Sequence, residues 1–200
     1  MPHLTLANQI TLLRMLLIPA FVLLVVYDEL GWALAVLLVA GATDALDGLI
    51  ARRAGQKTTL GAWLDPMADK LLLTSAFVVL TVPGTSLTQR IPLWLTILII
   101  SRDVVIVLTV AIVNLAIGRR TFTPSLLGKA ATAIYIVTGL LFMIFNYLER
   151  SSRVLDVCVQ LSLAVTILSS LHYIFHATRI INTEPRPSQV DRGTRREVEK

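Results

Sequence analysis

Long apolar stretches alternate with short polar segments along this chain of 200 residues. Six of the apolar stretches approach the length of about 20 residues that a helix needs to cross roughly 30 Å of hydrocarbon. Because backbone polar groups inside a bilayer must be hydrogen-bonded within the protein, the pattern predicts an all-α, polytopic membrane protein with six transmembrane helices. The predicted spans are Ile10–Tyr27, Gly31–Ile50, Pro66–Val82, Leu93–Ile117, Ser125–Tyr147 and Val154–Ile181.

The composition also indicates a membrane rather than an aqueous setting. Hydrophobic residues make up 55% of the chain and charged residues 16%, and the mean hydropathy is +0.74. A soluble domain of this size has too little interior to bury that much apolar surface. The net charge of +5 does not indicate a nucleic-acid partner, because the basic residues cluster between apolar segments and in the tail, where anionic lipid headgroups lie.

The positions of lysine and arginine predict the orientation of the chain in the membrane. Basic residues are concentrated after the second span, after the fourth span and in the tail, whereas the turn after the first span is acidic. We therefore expect a multi-pass protein of the inner, cytoplasmic membrane with both termini in the cytoplasm. Residues 1–181 are expected to form one six-helix domain, and the polar residues 182–200 a disordered cytoplasmic tail.

Four aspartates lie close together in the sequence, two near the end of the second span and two at the start of the third span. A carboxylate in a membrane helix is costly and is usually functional. Asp44 and Asp47 are three residues apart, and Asp65 and Asp69 four apart, so each pair shares one helix face. If the two helices are adjacent, the carboxylates would need a cation to offset their repulsion. Oxygen ligands favour Mg²⁺ or Mn²⁺, and two such ions can stabilise a displacement at phosphorus.

Two alternatives to a catalytic site are a buried ion-pair network and the ion or proton pathway of a non-catalytic membrane protein. The small residues between the aspartates favour catalysis. Gly48 and Gly61 lack a Cβ atom, so a bulky group can approach the backbone closely. Ala51 adds only a methyl group to the same helix surface. Arg52 adds a fixed cation of the kind that binds phosphate.

These residues form one run, Asp44-x2-Asp47-Gly48-x2-Ala51-Arg52-x8-Gly61-x3-Asp65-x3-Asp69. The run resembles the signature of the CDP-alcohol phosphatidyltransferases at every fixed position. The resemblance implies a dimeric enzyme that transfers a phosphatidyl group from CDP-diacylglycerol to an alcohol and releases CMP. It assigns four aspartates to a centre of two divalent ions, with Asp69 also the general base. The residues it places at the nucleotide are Asn8, Thr11, Asp47, Gly48, Ala51, Arg52 and Gly61.

Further resemblances concern the acceptor alcohol. The stretch Leu64–Lys70 resembles the LDPxADK form of phosphatidylglycerolphosphate synthases and of the related cardiolipin synthases. Both branches carry a Gly-Lys pair, which is Gly128-Lys129 in this chain. Phosphatidylglycerolphosphate synthases often have a second lysine two positions later, where this chain has Ala131. The trio Ser101-Arg102-Asp103 is at least as similar to the cardiolipin branch. We expect glycerol-3-phosphate as acceptor, with phosphatidylglycerol and then inositol phosphate as alternatives.

Three cations interrupt otherwise apolar spans. Lys129 and Arg102 are candidates for binding the phosphate of the acceptor, which requires positive charge near the metals. Alternatively, either side chain extends to the membrane interface, or Arg102 pairs with the neighbouring Asp103. Arg14 could face either the pyrophosphate of the donor or the headgroup region.

Overall fold

The computed structural model describes residues 6–54, 59–117 and 126–182. These residues form six α-helices and, within the described ranges, no β-strand, which confirms the all-α class. Of the predicted disordered tail, 182–200, Asn182 is the last residue of α6, and residues 183–200 lie outside the described residues. The helices are α1 (Leu6–Val26), α2 (Leu30–Ala54), α3 (Thr59–Thr81), α4 (Leu93–Ile117), α5 (Leu126–Tyr147) and α6 (Arg153–Asn182).

Three described segments are long and apolar enough to cross a membrane, judged by length and composition: Gln9–Val26, Leu126–Tyr147 and Arg153–Tyr173. The apolar part of α2, Leu30–Thr43, is shorter. Many large apolar side chains on the outside of the bundle are exposed, as expected for a protein whose solvent is lipid. The chain is therefore a membrane protein, and three of its six helices qualify as spans on the described residues alone.

The third helix begins earlier than predicted. The apolar pattern placed its start at Pro66, whereas α3 begins at Thr59 and includes Pro66 in its interior. The charged Asp65 interrupts the apolar pattern but not the helix, which also includes residues 59–64, so the hydropathy pattern marked the wrong boundary. In the same way α2 continues past the predicted Ile50 to Ala54. Every residue of the four-aspartate motif that the structure describes is consequently helical.

The helices pack as two groups of four that share α3 and α5. In the first group, α1 contacts α2 and α3, and both α2 and α3 contact α5. In the second group, α4 packs against α3 and α6, and α6 packs against α5. Helix α3 therefore lies between the two groups. Because consecutive residues are about 100° apart around a helix, neighbouring residues of α3 can face different groups.

Buried aromatic and polar side chains hold these groups together. The rings of Phe77 and Tyr135 meet edge to face, with centroids 6.0 Å apart, at the contact between α3 and α5. The Tyr135 hydroxyl is hydrogen-bonded to the Thr166 hydroxyl of α6 at 2.6 Å. Polar contacts inside a bundle compensate for the weak hydrophobic driving force between helices in lipid.

The end of the bundle opposite the motif is fixed by one asparagine. Asn146, which is buried near the end of α5, donates from Nδ2 to the Gln89 carbonyl at 2.8 Å. The Gln89 backbone N–H donates to Asn146 Oδ1 at 2.9 Å, so the side chain pairs both polar backbone groups of Gln89. Residues 82–92 are thereby held against α5.

Candidate active site

The motif lies on the last turns of α2 and the first half of α3. All four aspartates are on helices, as their spacing predicted: Asp44 and Asp47 on α2, Asp65 and Asp69 on α3. The structure describes the side chain of Asp69, while the other three carboxylates lie outside the described side chains. The same holds for five residues predicted at the nucleotide, which are Asn8 on α1, Gly48, Ala51 and Arg52 on α2, and Gly61 on α3.

Asp69 is held by an arginine from α1. The side chain of Arg14 is only 1% exposed, and its Nη1 donates to Asp69 Oδ1 in an ion pair between α1 and α3. Arginine stays charged in proteins, so a guanidinium buried among apolar helices requires a carboxylate of this kind. From the sequence, Arg14 could face either the donor pyrophosphate or the headgroup region, and this pairing was not predicted.

The Asp69 carboxylate remains accessible despite that contact, because 45% of its side-chain surface is exposed. Thr11, predicted at the nucleotide, lies one turn before Arg14 on α1 and is fully buried. Residues three apart share a helix face, so Thr11 and Arg14 both lie on the side of α1 that packs into the bundle. Among the described side chains, the first group of helices therefore presents Asp69 as an anchored and accessible carboxylate.

A second charged cluster links α3 to α4. Arg102 Nη1 donates to Asp103 Oδ1 at 2.8 Å, and Asp103 Oδ2 lies 3.5 Å from Nζ of Lys70. The pairing of Arg102 with Asp103 is the alternative that the sequence left open. Lys70 was missed as a site residue, although a lysine next to Asp69 in a helix of a membrane protein is itself a signal. The cluster therefore includes Lys70, the residue that directly follows Asp69 in α3.

Lys129 occupies a different position from Arg102. It lies in the first turn of α5 and is exposed, whereas Arg102 lies near the middle of α4 with 10% of its side chain exposed. The structure records no contact between these two cations among the described residues. Ala131, at the position of the missing second lysine, is fully buried.

The described residues also form a cavity of about 600 Å³, but at the other end of the bundle. It is lined by residues of the turns after α1 and α5, among them Asp28, Glu29 and Glu149, and contains no motif residue. Among the described residues no group of three or more His, Cys, Asp or Glu could hold a metal ion. Three of the motif aspartates have side chains outside that set.

A family model described as CDP-alcohol phosphatidyltransferase matches residues 4–171, which include all of these motif positions. The chain belongs to the CDP-alcohol phosphatidyltransferase family. It is thus a membrane-bound transferase of phospholipid biosynthesis, which uses a CDP-activated alcohol and an acceptor alcohol. The family resemblance inferred from the motif is confirmed.

Individual relatives of this phosphatidyltransferase fall into two groups by name. A protein from Mycobacterium tuberculosis named probable phosphatidylglycerophosphate synthase is 34% identical over 88% of this chain and 83% of its own length. A cardiolipin synthase (CMP-forming) from Streptomyces coelicolor is 36% identical over 64% of this chain and 60% of its own. A protein of the same name from Rattus norvegicus is 32% identical over 84% and 61%, respectively.

Proposed function

We propose that this chain is a phosphatidylglycerolphosphate synthase, which transfers the phosphatidyl group of CDP-diacylglycerol to glycerol-3-phosphate and releases CMP. The supporting observation is the similarity to the synthase-named relative from Mycobacterium tuberculosis, which extends over 88% of the chain. The cations Lys129 and Arg102 fit this acceptor, because a phosphomonoester brings about two negative charges into an apolar protein.

Phosphatidylglycerol is the second candidate acceptor, which would make the chain a cardiolipin synthase. Two observations favour it. Ala131 is fully buried where a second lysine would otherwise add charge. The cluster of Lys70, Arg102 and Asp103 holds two cations and one carboxylate, so its net charge of one matches the single charge of a phosphodiester.

The proposed mechanism assigns Asp69 to the proton transfer. Its accessible carboxylate accepts the proton of the acceptor hydroxyl, whose oxygen attacks the lipid-proximal phosphorus. The bond from that phosphorus to the CMP oxygen breaks, and CMP leaves. Arg14 holds Asp69 from the side of α1 during this step.

The other motif residues bind the donor. Asn8, Thr11, Asp47, Gly48, Ala51, Arg52 and Gly61 line the nucleotide site in this proposal. Asp44, Asp47 and Asp65, together with Asp69, would hold two divalent ions, Mg²⁺ or Mn²⁺, since carboxylate oxygens are the ligands that these ions prefer. When bound, such ions stabilise the negative charge that develops on the phosphate oxygens.

We propose that the enzyme is a homodimer in which each chain has six membrane spans. It would lie in the inner membrane with both termini of each chain in the cytoplasm. The domain covers residues 1–181, and residues 182–200 form a cytoplasmic tail. In support, four exposed aromatic side chains lie at the end of the bundle opposite the motif, where rings of this kind prefer the membrane interface. They are Tyr27, Trp32, Trp94 and Tyr147. The lysines and arginines that follow the second span, on the side of the motif, would place the motif at the cytoplasmic face.

Purified protein in detergent micelles with CDP-diacylglycerol tests the assignment. We expect CMP release with glycerol-3-phosphate and much less with phosphatidylglycerol or inositol phosphate. CMP release with phosphatidylglycerol that millimolar glycerol-3-phosphate does not inhibit would identify the cardiolipin reaction instead. Absence of CMP release with every acceptor would contradict both assignments.

Replacing Lys129 by alanine should raise the KM for glycerol-3-phosphate about 10- to 150-fold, the usual effect of losing one charge-assisted hydrogen bond. The KM for CDP-diacylglycerol should stay almost unchanged. Arg150→Ala, which removes an exposed cation at the opposite end of the bundle, is the matched control. An unchanged acceptor KM in Lys129→Ala would remove this residue from the acceptor site.

A further inference from the structure

The carboxylate of Asp103 contacts two cations from two helices. One oxygen accepts from Arg102 on its own helix, and the other lies near Lys70 on α3. Asp103 is 24% exposed, and it supplies the ion pair that joins α3 to α4 among the described residues. Lys70 directly follows Asp69 in α3, so this ion pair also connects α4 to the helix that carries the proposed base.

The Arg102 guanidinium is fixed but incompletely paired. Its Nη1 donates to Asp103, while its buried Nε has no hydrogen-bond partner among the described residues. A buried N–H without an acceptor is unfavourable and needs an explanation. Since arginine presents its donors in a rigid planar fork, an anionic oxygen beside Arg102 could pair with Nε while Nη1 stays on Asp103.

We propose that Asp103 is a positioning residue for the acceptor, and this rests on the proposed function. Asp103 does not touch the substrate. It holds Arg102 and Lys70 so that the phosphate of the acceptor binds beside these two cations, at a fixed place relative to Asp69. Without the carboxylate, the two cations would repel each other, and Lys70, whose side chain is 47% exposed, would lose its partner on α4.

The test compares Asp103→Asn with the wild type by CMP release, using CDP-diacylglycerol and either glycerol-3-phosphate or phosphatidylglycerol in mixed micelles. For whichever acceptor supports turnover, Asp103→Asn should raise the acceptor KM about tenfold or more. The KM for CDP-diacylglycerol should change less than about twofold. Asp103→Glu, which keeps the charge, should restore most of the acceptor affinity.

Asp156→Asn is the matched control, because it neutralises an exposed aspartate in the first turn of α6, at the opposite end of the bundle. It should leave both KM values unchanged. An unchanged acceptor KM in Asp103→Asn, or an equal rise for both substrates, would overturn the positioning role. Inactivity of the wild type with both acceptors would instead contradict the proposed function.

A second variant keeps the proposal testable if Asp103→Asn does not fold. Lys70→Met removes one of the two cations. Because the Lys70 side chain is about half exposed, its replacement should disturb folding less than loss of a buried charged group would. We expect a severalfold rise in acceptor KM with CDP-diacylglycerol affinity retained. Wild-type kinetics in Lys70→Met would show that the cluster does not serve the acceptor.

Discussion

Replacing Asp69 by asparagine should lower CMP release by about 10²–10⁴-fold, the usual cost of losing a general base. The amide has nearly the shape of the carboxylate, so Oδ1 can still accept from Arg14, but it cannot take the proton of the acceptor hydroxyl. The measurement is turnover at saturating substrate and saturating Mg²⁺, which limits the contribution of weakened metal binding.

Two controls separate loss of the base from loss of the fold. Asp156→Asn makes the same chemical change on α6, away from the motif, and should retain wild-type turnover. Thermal unfolding in detergent should show whether loss of the ion pair between Asp69 and Arg14 destabilises the bundle. If folded Asp69→Asn turns over at nearly the wild-type rate, another group must accept the proton.

The sequence predicted the helices well wherever they are apolar. The bounds of α4 agree with the predicted span Leu93–Ile117, and α6 differs by one residue at each end. At α3 the prediction started seven residues late, because the charged Asp65 interrupts the apolar pattern while the helix continues through it to Thr59. Asp65 and Gly61 of the motif lie on this part of the helix.

The sequence also showed which side chains require partners, but not which partners they have. A buried arginine in α1 and an aspartate in α3 each indicate a function or an ion pair. Arg14 and Asp69 are 55 residues apart, and their pairing depends on how α1 packs against α3. For Arg102 the candidate partner was its sequence neighbour, so that contact was foreseen, whereas the additional contact of Asp103 with Lys70 was not.

Chelation of divalent cations should abolish CMP release, and added Mg²⁺ or Mn²⁺ should restore it. Without the ions, the carboxylates of the motif would repel the phosphates of CDP-diacylglycerol, and no positive charge would stabilise the attacking and leaving oxygens. The measurement is CMP release in excess chelator, followed by titration with each metal. Full activity in excess chelator would contradict the two-ion mechanism.

The same titration distinguishes the roles within the motif. Asp44→Asn, Asp47→Asn and Asp65→Asn should each require more Mg²⁺ for half-maximal activity, because each variant removes one anionic ligand. Asp156→Asn should follow the wild-type curve. If saturating Mg²⁺ restores turnover in the three ligand variants but not in Asp69→Asn, the defect at Asp69 cannot be metal affinity alone. Recovery of Asp69→Asn at high Mg²⁺ would instead show that Asp69 acts only as a metal ligand and that another group accepts the proton.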